Sequence, residues 1–248
     1  MDTMFINCQS LETVPLFNTI KVTNMSSMFN NCENLKTVPL FNTANVTSMS
    51  DMFIGCKQLQ SVPLFNTIKV TSMNGMFQFC RIKEVPAFNT IAVTRMDSMF
   101  NQCAIVIPPA FDTQNVTNMN SMFSNASALQ LAPSFNTIKV TDMGSMFNSC
   151  SVLQSIPAYN VSAITTTSMG NFCQGSLNID RIQTVFKTTV NIQNCQLSRT
   201  AIVEVFNNLL NRTSMASATI NISTNWGATN LTAADRLIAT SKNWVIIG

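Results

Sequence analysis

The chain has 248 residues, of which 46% are hydrophobic and 10% are charged, so it can bury a large core as one domain or one elongated array. Fourteen basic and eleven acidic side chains give a net charge of +3, which is spread too thinly to predict nucleic acid as a partner. Polar residues interrupt every apolar segment within a few positions, and we therefore expect no membrane insertion.

The sequence contains no histidine, which is the commonest general base and the commonest zinc ligand. The acidic residues of the repeated part are scattered along the chain rather than clustered, as at Asp51, Glu84, Asp97 and Asp142. We therefore expect no enzyme, no catalytic residue and no cofactor. Residues 1–10 lack a charged segment followed by an apolar one, so we expect no signal peptide there.

A segment of 23 or 24 residues recurs along two thirds of the chain, and one clear copy reads VPLFNTIKVTNMSSMFNNCENLKT. Its proline recurs at spacings of 24, 24, 23, 23, 24 and 24 residues, at Pro15, Pro39, Pro63, Pro86, Pro109, Pro133 and Pro157. A period of this length is typical of stacked coils, each too small to bury its own apolar face. The sequence therefore predicts a repeat array.

Within each coil, the apolar residues are spaced like one face of a helix, as at Val22, Met25, Met28, Phe29, Cys32 and Leu35. Thr23 stands where its hydroxyl could cap that helix. The LxxLxL spacing of Leu11, Val14 and Leu16 predicts a short strand after each helix, with Leu16, Leu40 and Leu64 facing the core. Each coil is thus expected to contain one strand and one helix.

Stacking such coils predicts an α/β fold, a curved right-handed leucine-rich-repeat solenoid with short parallel strands on the concave side and helices on the convex side. Residues 1–173 would form the array, and residues 174–248 would form divergent strand-helix coils that close its C-terminal end. In this second part we expect strands over 189–192, 219–222 and 244–247. Ser198 and Thr232 are expected to cap two amphipathic helices.

Most coils contribute one cysteine, at Cys8, Cys32, Cys56, Cys80, Cys103 and Cys150, with Ala126 at the missing position. Coils that contain helices would lie about 9 Å apart, too far for neighbouring disulfides, and we therefore expect buried free thiols. Met25, Met28 and Cys32 offer three soft ligands for copper(I), but they lie on the only apolar face of the predicted helix. We interpret them as core and expect no metal.

The motif VPLFNTxxVTxMxxMFxxCxxL, clearest at Val14 to Leu35 and Val38 to Leu59, resembles the BspA-like class of bacterial leucine-rich repeats over roughly residues 1–173. The C-terminal segments LSRTAIVEVFNNL and ATINISTNWGATNLTAADRLIATSKNWVIIG are similar to tails that close such arrays in phage structural proteins. The resemblance implies a surface or virion protein that contacts host tissue, matrix or other proteins, and it brings no catalytic residues.

These observations favour a non-enzymatic interaction or attachment module of a bacterial surface or phage virion structural protein, forming the C-terminal part of a longer chain. The expected location is extracellular, and the expected partners are a protein or glycan on a host surface, or sister structural proteins. Thr13, Thr37 and Ser61 flank the prolines on the predicted concave face and are the candidate contact residues. The alternative is an architectural virion decoration or fibre subunit that self-assembles, without host recognition, through its open N-terminal coil or its last strand.

Overall fold

The computed structural model describes residues 1–165 and 169–248. Its regular secondary structure lies toward the C-terminus. Strands β1 (Ser155–Ile156) and β2 (Arg181–Ile182) form a parallel pair, and β3 (Val190–Asn191), β4 (Ala218–Asn221) and β5 (Trp244–Ile247) form a parallel sheet in that order. The helices are α1 (Arg199–Asn208), a 3-10 helix (Ala228–Asn230) and α2 (Ala233–Thr240).

Backbone hydrogen bonds join each repeat to the next. The Met25 N–H donates to the Ser48 carbonyl at 3.0 Å, and the Phe29 N–H donates to the Met52 carbonyl at 2.9 Å. Parallel bridges continue this contact from coil to coil through Asn24, Ser48, Ser72, Arg95, Asn118 and Asp142. Equivalent residues of successive coils therefore lie directly over one another.

Among the described residues of the array, the helix predicted in each coil is not formed, and residues 26–31, for example, make consecutive turns instead. The N–H groups alternate between two kinds of acceptor. Those of Met25, Ser27, Phe29 and Asn31 bond to the next coil, whereas those of Met28, Asn30 and Cys32 bond three residues back in their own coil. In an α-helix, each backbone N–H would bond to a carbonyl four residues back in the same coil. The left-handed φ values of 53° at Ser27 and 58° at Asn31 are also incompatible with a right-handed helix.

The proline segment explains why the predicted strand at Val14–Leu16 and its equivalents is largely absent. In the second coil, the Phe41 N–H donates to the Pro39 carbonyl at 2.9 Å, which closes a γ-turn centred on Leu40. Val38 and Phe41 both point into the core, with 8% and 2% exposure, while Leu40 is 60% exposed. The expectation that Leu16, Leu40 and Leu64 face the core is therefore wrong. Among the corresponding segments, strand geometry appears in the seventh coil, as β1.

Stacked phenylalanine rings fill the centre of the coils. One column runs through Phe5, Phe29, Phe53, Phe77, Phe100, Phe123 and Phe147, with neighbouring ring centroids 5.5 to 5.8 Å apart and rings within 9° of parallel. A second column, which begins at Phe17 and Phe41, packs beside the first. The methionines are buried as predicted, with Met28, Met52 and Met76 at 0% exposure. The core is thus continuous along the repeats.

The C-terminal part contains the two capped helices that the sequence predicts. The Ser198 side chain accepts a hydrogen bond from the Ala201 N–H at the start of α1. Thr232 and Asp235 form a reciprocal capping box at the start of α2. The strands expected over 189–192, 219–222 and 244–247 are present as β3, β4 and β5 within one residue at most of their expected starts.

One ion pair links the beginnings of the two helices. Arg199 Nε donates to Asp235 Oδ2 at 2.8 Å, and Arg199 Nη2 donates to Asp235 Oδ1 at 3.0 Å. Together with the Thr232 backbone and hydroxyl, this guanidinium lowers the pKa of Asp235 to about 2. The carboxylate therefore favours the folded state while it is ionised.

Replacing a central ring of the stack should destabilise the array strongly. Phe100 is fully buried and stacks on Phe77, Phe111 and Phe123, so F100A is expected to cost about 3–5 kcal/mol through lost contacts and a residual cavity. Urea unfolding followed by circular dichroism measures the change. The exposed Leu40 is the control, since L40A should change stability by no more than about 0.5 kcal/mol. Equal effects of the two substitutions would contradict the stacked core.

Stability of the C-terminal part should fall in acid because Asp235 has a lower pKa folded than its unfolded value of about 3.9. A carboxyl group whose pKa is lower in the folded state stabilises the fold at pH values above its unfolded pKa. This contribution is lost as the pH falls from about 4 to about 2. D235N should lower the melting temperature at neutral pH and remove this part of the acid dependence. Thermal melts between pH 7 and pH 2 test it, and identical pH profiles for the two proteins would refute it.

Candidate functional site

The three side chains expected to contact a partner lie at equivalent positions of neighbouring coils. Thr13, Thr37 and Ser61 are all exposed to solvent, each just before the inward-facing valine and the proline. Neighbouring coils that share backbone hydrogen bonds are about 4.8 Å apart, so these hydroxyls form a short polar strip. Their role in binding stays a prediction.

A row of leucines lies on the same segments and is the feature that sequence reasoning assigned to the wrong side. Leu16, Leu40 and Leu64, which we name the leucine row, are 67%, 60% and 61% exposed. The later coils carry small residues at this position, at Ala87, Ala110, Ser134 and Ala158. The leucine row is therefore a local apolar surface of the first coils. Its signal in the sequence was the odd difference in position between Val14 and Phe17, because two residues three positions apart cannot lie on the same face of a regular strand.

The threonine predicted to cap a helix instead ties neighbouring coils together. Thr47 Oγ1 donates to the Thr23 carbonyl at 3.1 Å, and Thr71 Oγ1 donates to the Thr47 carbonyl at 3.2 Å. Nearby, the Ser26 and Ser48 hydroxyls are hydrogen-bonded at 2.7 Å. These side chains support the stack, and the predicted helix cap at Thr23 is wrong.

The cysteines form a buried column in which each thiol bonds to the coil before it. Cys32 Sγ donates to the Phe5 carbonyl at 3.0 Å, and Cys56 Sγ donates to the Phe29 carbonyl at 3.1 Å. Burial of the thiols was predicted and holds for Cys32, Cys56, Cys80, Cys103 and Cys150, whereas Cys8 is exposed. The reason given for free thiols was wrong, because coils that share backbone hydrogen bonds lie much closer than packed helices.

Burial also lowers the reactivity of these thiols. It raises the pKa of Cys32 to about 11 and the pKa of Cys103 and Cys150 to about 12. The thiolate is the nucleophilic form, so such groups are poor nucleophiles at neutral pH. Ser176 Oγ makes the equivalent bond to the Phe147 carbonyl at 2.6 Å, which indicates that the position requires a small donor.

The acidic residues considered for catalysis lie on different coils, and among them Asp51 and Asp97 are near enough for their charges to interact. Asp97 pairs with Arg95 at 2.8 Å, and Asp142 accepts a hydrogen bond from Asn120 at 3.2 Å. Burial is the main cause that raises the pKa of Asp51. Across residues 1–165 and 169–248, no group of three or more Cys, Asp or Glu is placed to hold a metal ion.

A groove of about 520 Å³ crosses later coils and is lined by uncharged side chains such as Asn148, Gln174 and Gln193. Amide groups can donate and accept hydrogen bonds, but they have no protonation chemistry near neutral pH. The groove therefore offers a polar surface and no acid or base.

These features define a repeat protein with stacked coils whose outer surface carries rows of equivalent side chains. Residues 1–106 and residues 80–183 match a family described as Mycoplasma protein of unknown function, DUF285. The two matches together span most of the chain, which therefore belongs to this family. No curated protein matches the sequence. In the described part of the chain, every helix is too short or too polar to cross a bilayer.

Alkylation should distinguish the exposed cysteine from the buried column. With iodoacetamide at pH 8, the native protein is expected to gain one label quickly, at Cys8, because only roughly one in a thousand Cys32 thiols is ionised at a pKa of about 11. In denaturant all eight cysteines should react. Intact mass and peptide mapping measure the labels, and C8S serves as the control that removes the fast reaction. Rapid labelling of several native cysteines would show that the column is open.

Proposed function

We propose that the chain is a non-enzymatic interaction or attachment module of a bacterial surface or phage virion structural protein, and that it works outside the cell. The leucine row is the observation that carries this proposal. Three large apolar side chains on adjacent coils, each more than half exposed, make a continuous strip that costs free energy to hydrate. The repetition of this surface along an array of stacked coils supports this reading.

The surroundings of the leucine row suit a partner that combines apolar and polar groups. Thr13, Thr37 and Ser61 lie three residues before the leucines in each coil and are exposed on the same segments. Ile20 and Ile68, at 54% and 53% exposure, extend the apolar character of these coils. An apolar centre with hydroxyls beside it is the usual composition of a protein-binding surface. A protein on a host surface, or a sister structural protein, is therefore the proposed partner.

We also propose that the array is a variant of the curved leucine-rich-repeat solenoid, related to the BspA-like class. The parallel register of successive coils and the continuous phenylalanine column support this assignment. In this variant, consecutive turns replace the helix, so both sides of a coil are narrow. The backbone of the surface is then similar in successive coils, and coils differ mainly in their exposed side chains. Such a surface suits a protein that binds its partner through many contacts spread over several coils.

A second candidate function is architectural, and the last strand favours it. In the sheet, β5 pairs with β4 on one side and forms an edge, and its Val245 and Ile247 side chains are 50% and 49% exposed. An edge with exposed apolar side chains can pair with another chain. Discrete oligomers or fibres in light scattering, together with no attachment to cells, would favour this candidate over the first.

Removing the leucine row should abolish attachment without unfolding the chain. The combined substitution of Leu16, Leu40 and Leu64 by Gln is expected to reduce binding of the labelled protein to host cells at least tenfold, measured by flow cytometry. Each exposed change should alter stability by no more than about 0.5 kcal/mol. L237Q is the matched control, since Leu237 is 62% exposed on α2 in the C-terminal part. Unchanged binding by the triple variant, or an equal loss with L237Q, would exclude the leucine row as the contact surface.

A further inference from the structure

Two neighbouring coils of the array interrupt the regular repeat, because each is one residue shorter than the coils around it. The proline follows the cysteine by seven positions in the second and third coils, from Cys32 to Pro39 and from Cys56 to Pro63. It follows by only six positions in the next two coils, from Cys80 to Pro86 and from Cys103 to Pro109. The core keeps its spacing across the first deletion, because the ring centroids of Phe77 and Phe100, which flank it in sequence, are 5.8 Å apart. The missing residue is therefore absorbed in the outer segment that follows Cys80.

The backbone contacts between coils change at this point. The Gln60 N–H donates to the Lys36 carbonyl at 3.0 Å, but the equivalent N–H of Lys83 has no acceptor among the described residues. The contact resumes one coil later, where the Val106 N–H donates to the Lys83 carbonyl at 3.2 Å. The first shortened coil thus makes a step where it meets the longer coil before it, and a backbone donor is left available beside this step.

The step forms a cavity of about 310 Å³ that we name the basic notch, lined by Lys57, Gln58, Leu59, Gln60, Arg81 and Lys83. Lys57 pairs with Glu33 at 2.8 Å, with both side chains partly exposed. Within the part of the chain that the structure describes, Arg81 and Lys83 make no ion pair. Glu84 follows Lys83 in sequence but lines the neighbouring cavity.

Cations gather at the basic notch rather than along the whole array. The positions equivalent to Arg81 in the following coils carry Ala104, Ser127 and Ser151. Counting Lys57, Arg81 and Lys83 against Glu33 and the neighbouring Glu84 leaves one uncompensated positive charge in and beside the cavity. A local excess of this kind attracts an anion even though the whole chain is nearly neutral.

We propose that the basic notch binds a sulfate or carboxylate group of an acidic polysaccharide, an inference that rests on the proposed attachment function. Arginine makes paired hydrogen bonds to such planar or tetrahedral anions, and Lys83 adds a second charge and its open backbone N–H. The amides of Gln58 and Gln60 are suited to sugar hydroxyls, which need both donors and acceptors.

The residues that line the basic notch argue against two other classes of ligand, nucleic acids and peptides. None of its residues is aromatic, so it provides no platform on which the bases of a nucleic acid would stack. Its single apolar residue, Leu59, is 2% exposed and cannot anchor a peptide. The exposed polar lining leaves room for a chain of sugars to pass along the step.

The experiment measures binding of the full chain to immobilised chondroitin sulfate and to polygalacturonate, which carry sulfate plus carboxylate and carboxylate alone. We expect binding that weakens with added salt and that falls at least tenfold in the double variant R81Q/K83Q. The control is K21Q/K139Q, which removes the same charge from exposed lysines outside the basic notch and should bind like the unmodified chain. Circular dichroism melts confirm that both variants remain folded.

Several results would overturn the inference. These are no binding to either polysaccharide, equal losses in the two double variants, or competition by single-stranded DNA as strong as competition by the soluble polysaccharide. Binding of free sulfate at millimolar concentration without retention of either polymer would show a simple ion site instead. If the chain attaches to cells through the leucine row but ignores both polysaccharides, the proposed function stands and the basic notch is refuted. The reverse result would support the basic notch and refute the leucine row.

Discussion

The backbone hydrogen bond from one coil to the next is the constraint on which the rest of the repeated part depends. Alternate N–H groups, such as those of Met25 and Phe29, donate hydrogen bonds to carbonyls of the following coil rather than of their own. Coils joined in this way lie about 4.8 Å apart, so equivalent side chains must touch. Side chains at equivalent positions of the repeat therefore form columns along the array.

The columns decide which residues each position can accept. Flat rings fit the inner column because they can stack in an offset arrangement at the spacing that the backbone imposes, as Phe53 does on Phe29 and Phe77. Small donors fit beside the phenylalanine carbonyls, where Cys56 and Ser176 make equivalent bonds. A single coil could not bury these groups, since their rings stack on those of the coils on either side.

The same constraint makes the outer surface regular, so that local differences between coils can be recognised. Because a stacked array repeats its chemistry, a feature that occurs in only a few coils stands out from the rest. The leucine row is confined to the first coils, and the basic notch occurs at the first of two coils that are each shorter by a residue. The two surfaces differ in chemistry, one apolar and one cationic, so one array can offer separate contacts to a protein and to a polyanion.

The sequence by itself determined the period, the buried methionines and phenylalanines, and the two capped helices of the C-terminal part, because these follow from spacing and from local hydrogen bonds at Ser198 and Thr232. It did not determine the conformation inside a coil. Turns closed by bonds three residues back give the same apolar spacing as a helix, and only the neighbouring coil decides where the alternate N–H groups go. The γ-turn at Leu40, the outward leucine row and the step beside Lys83 depend on that neighbour too, so they could be seen only in the tertiary structure.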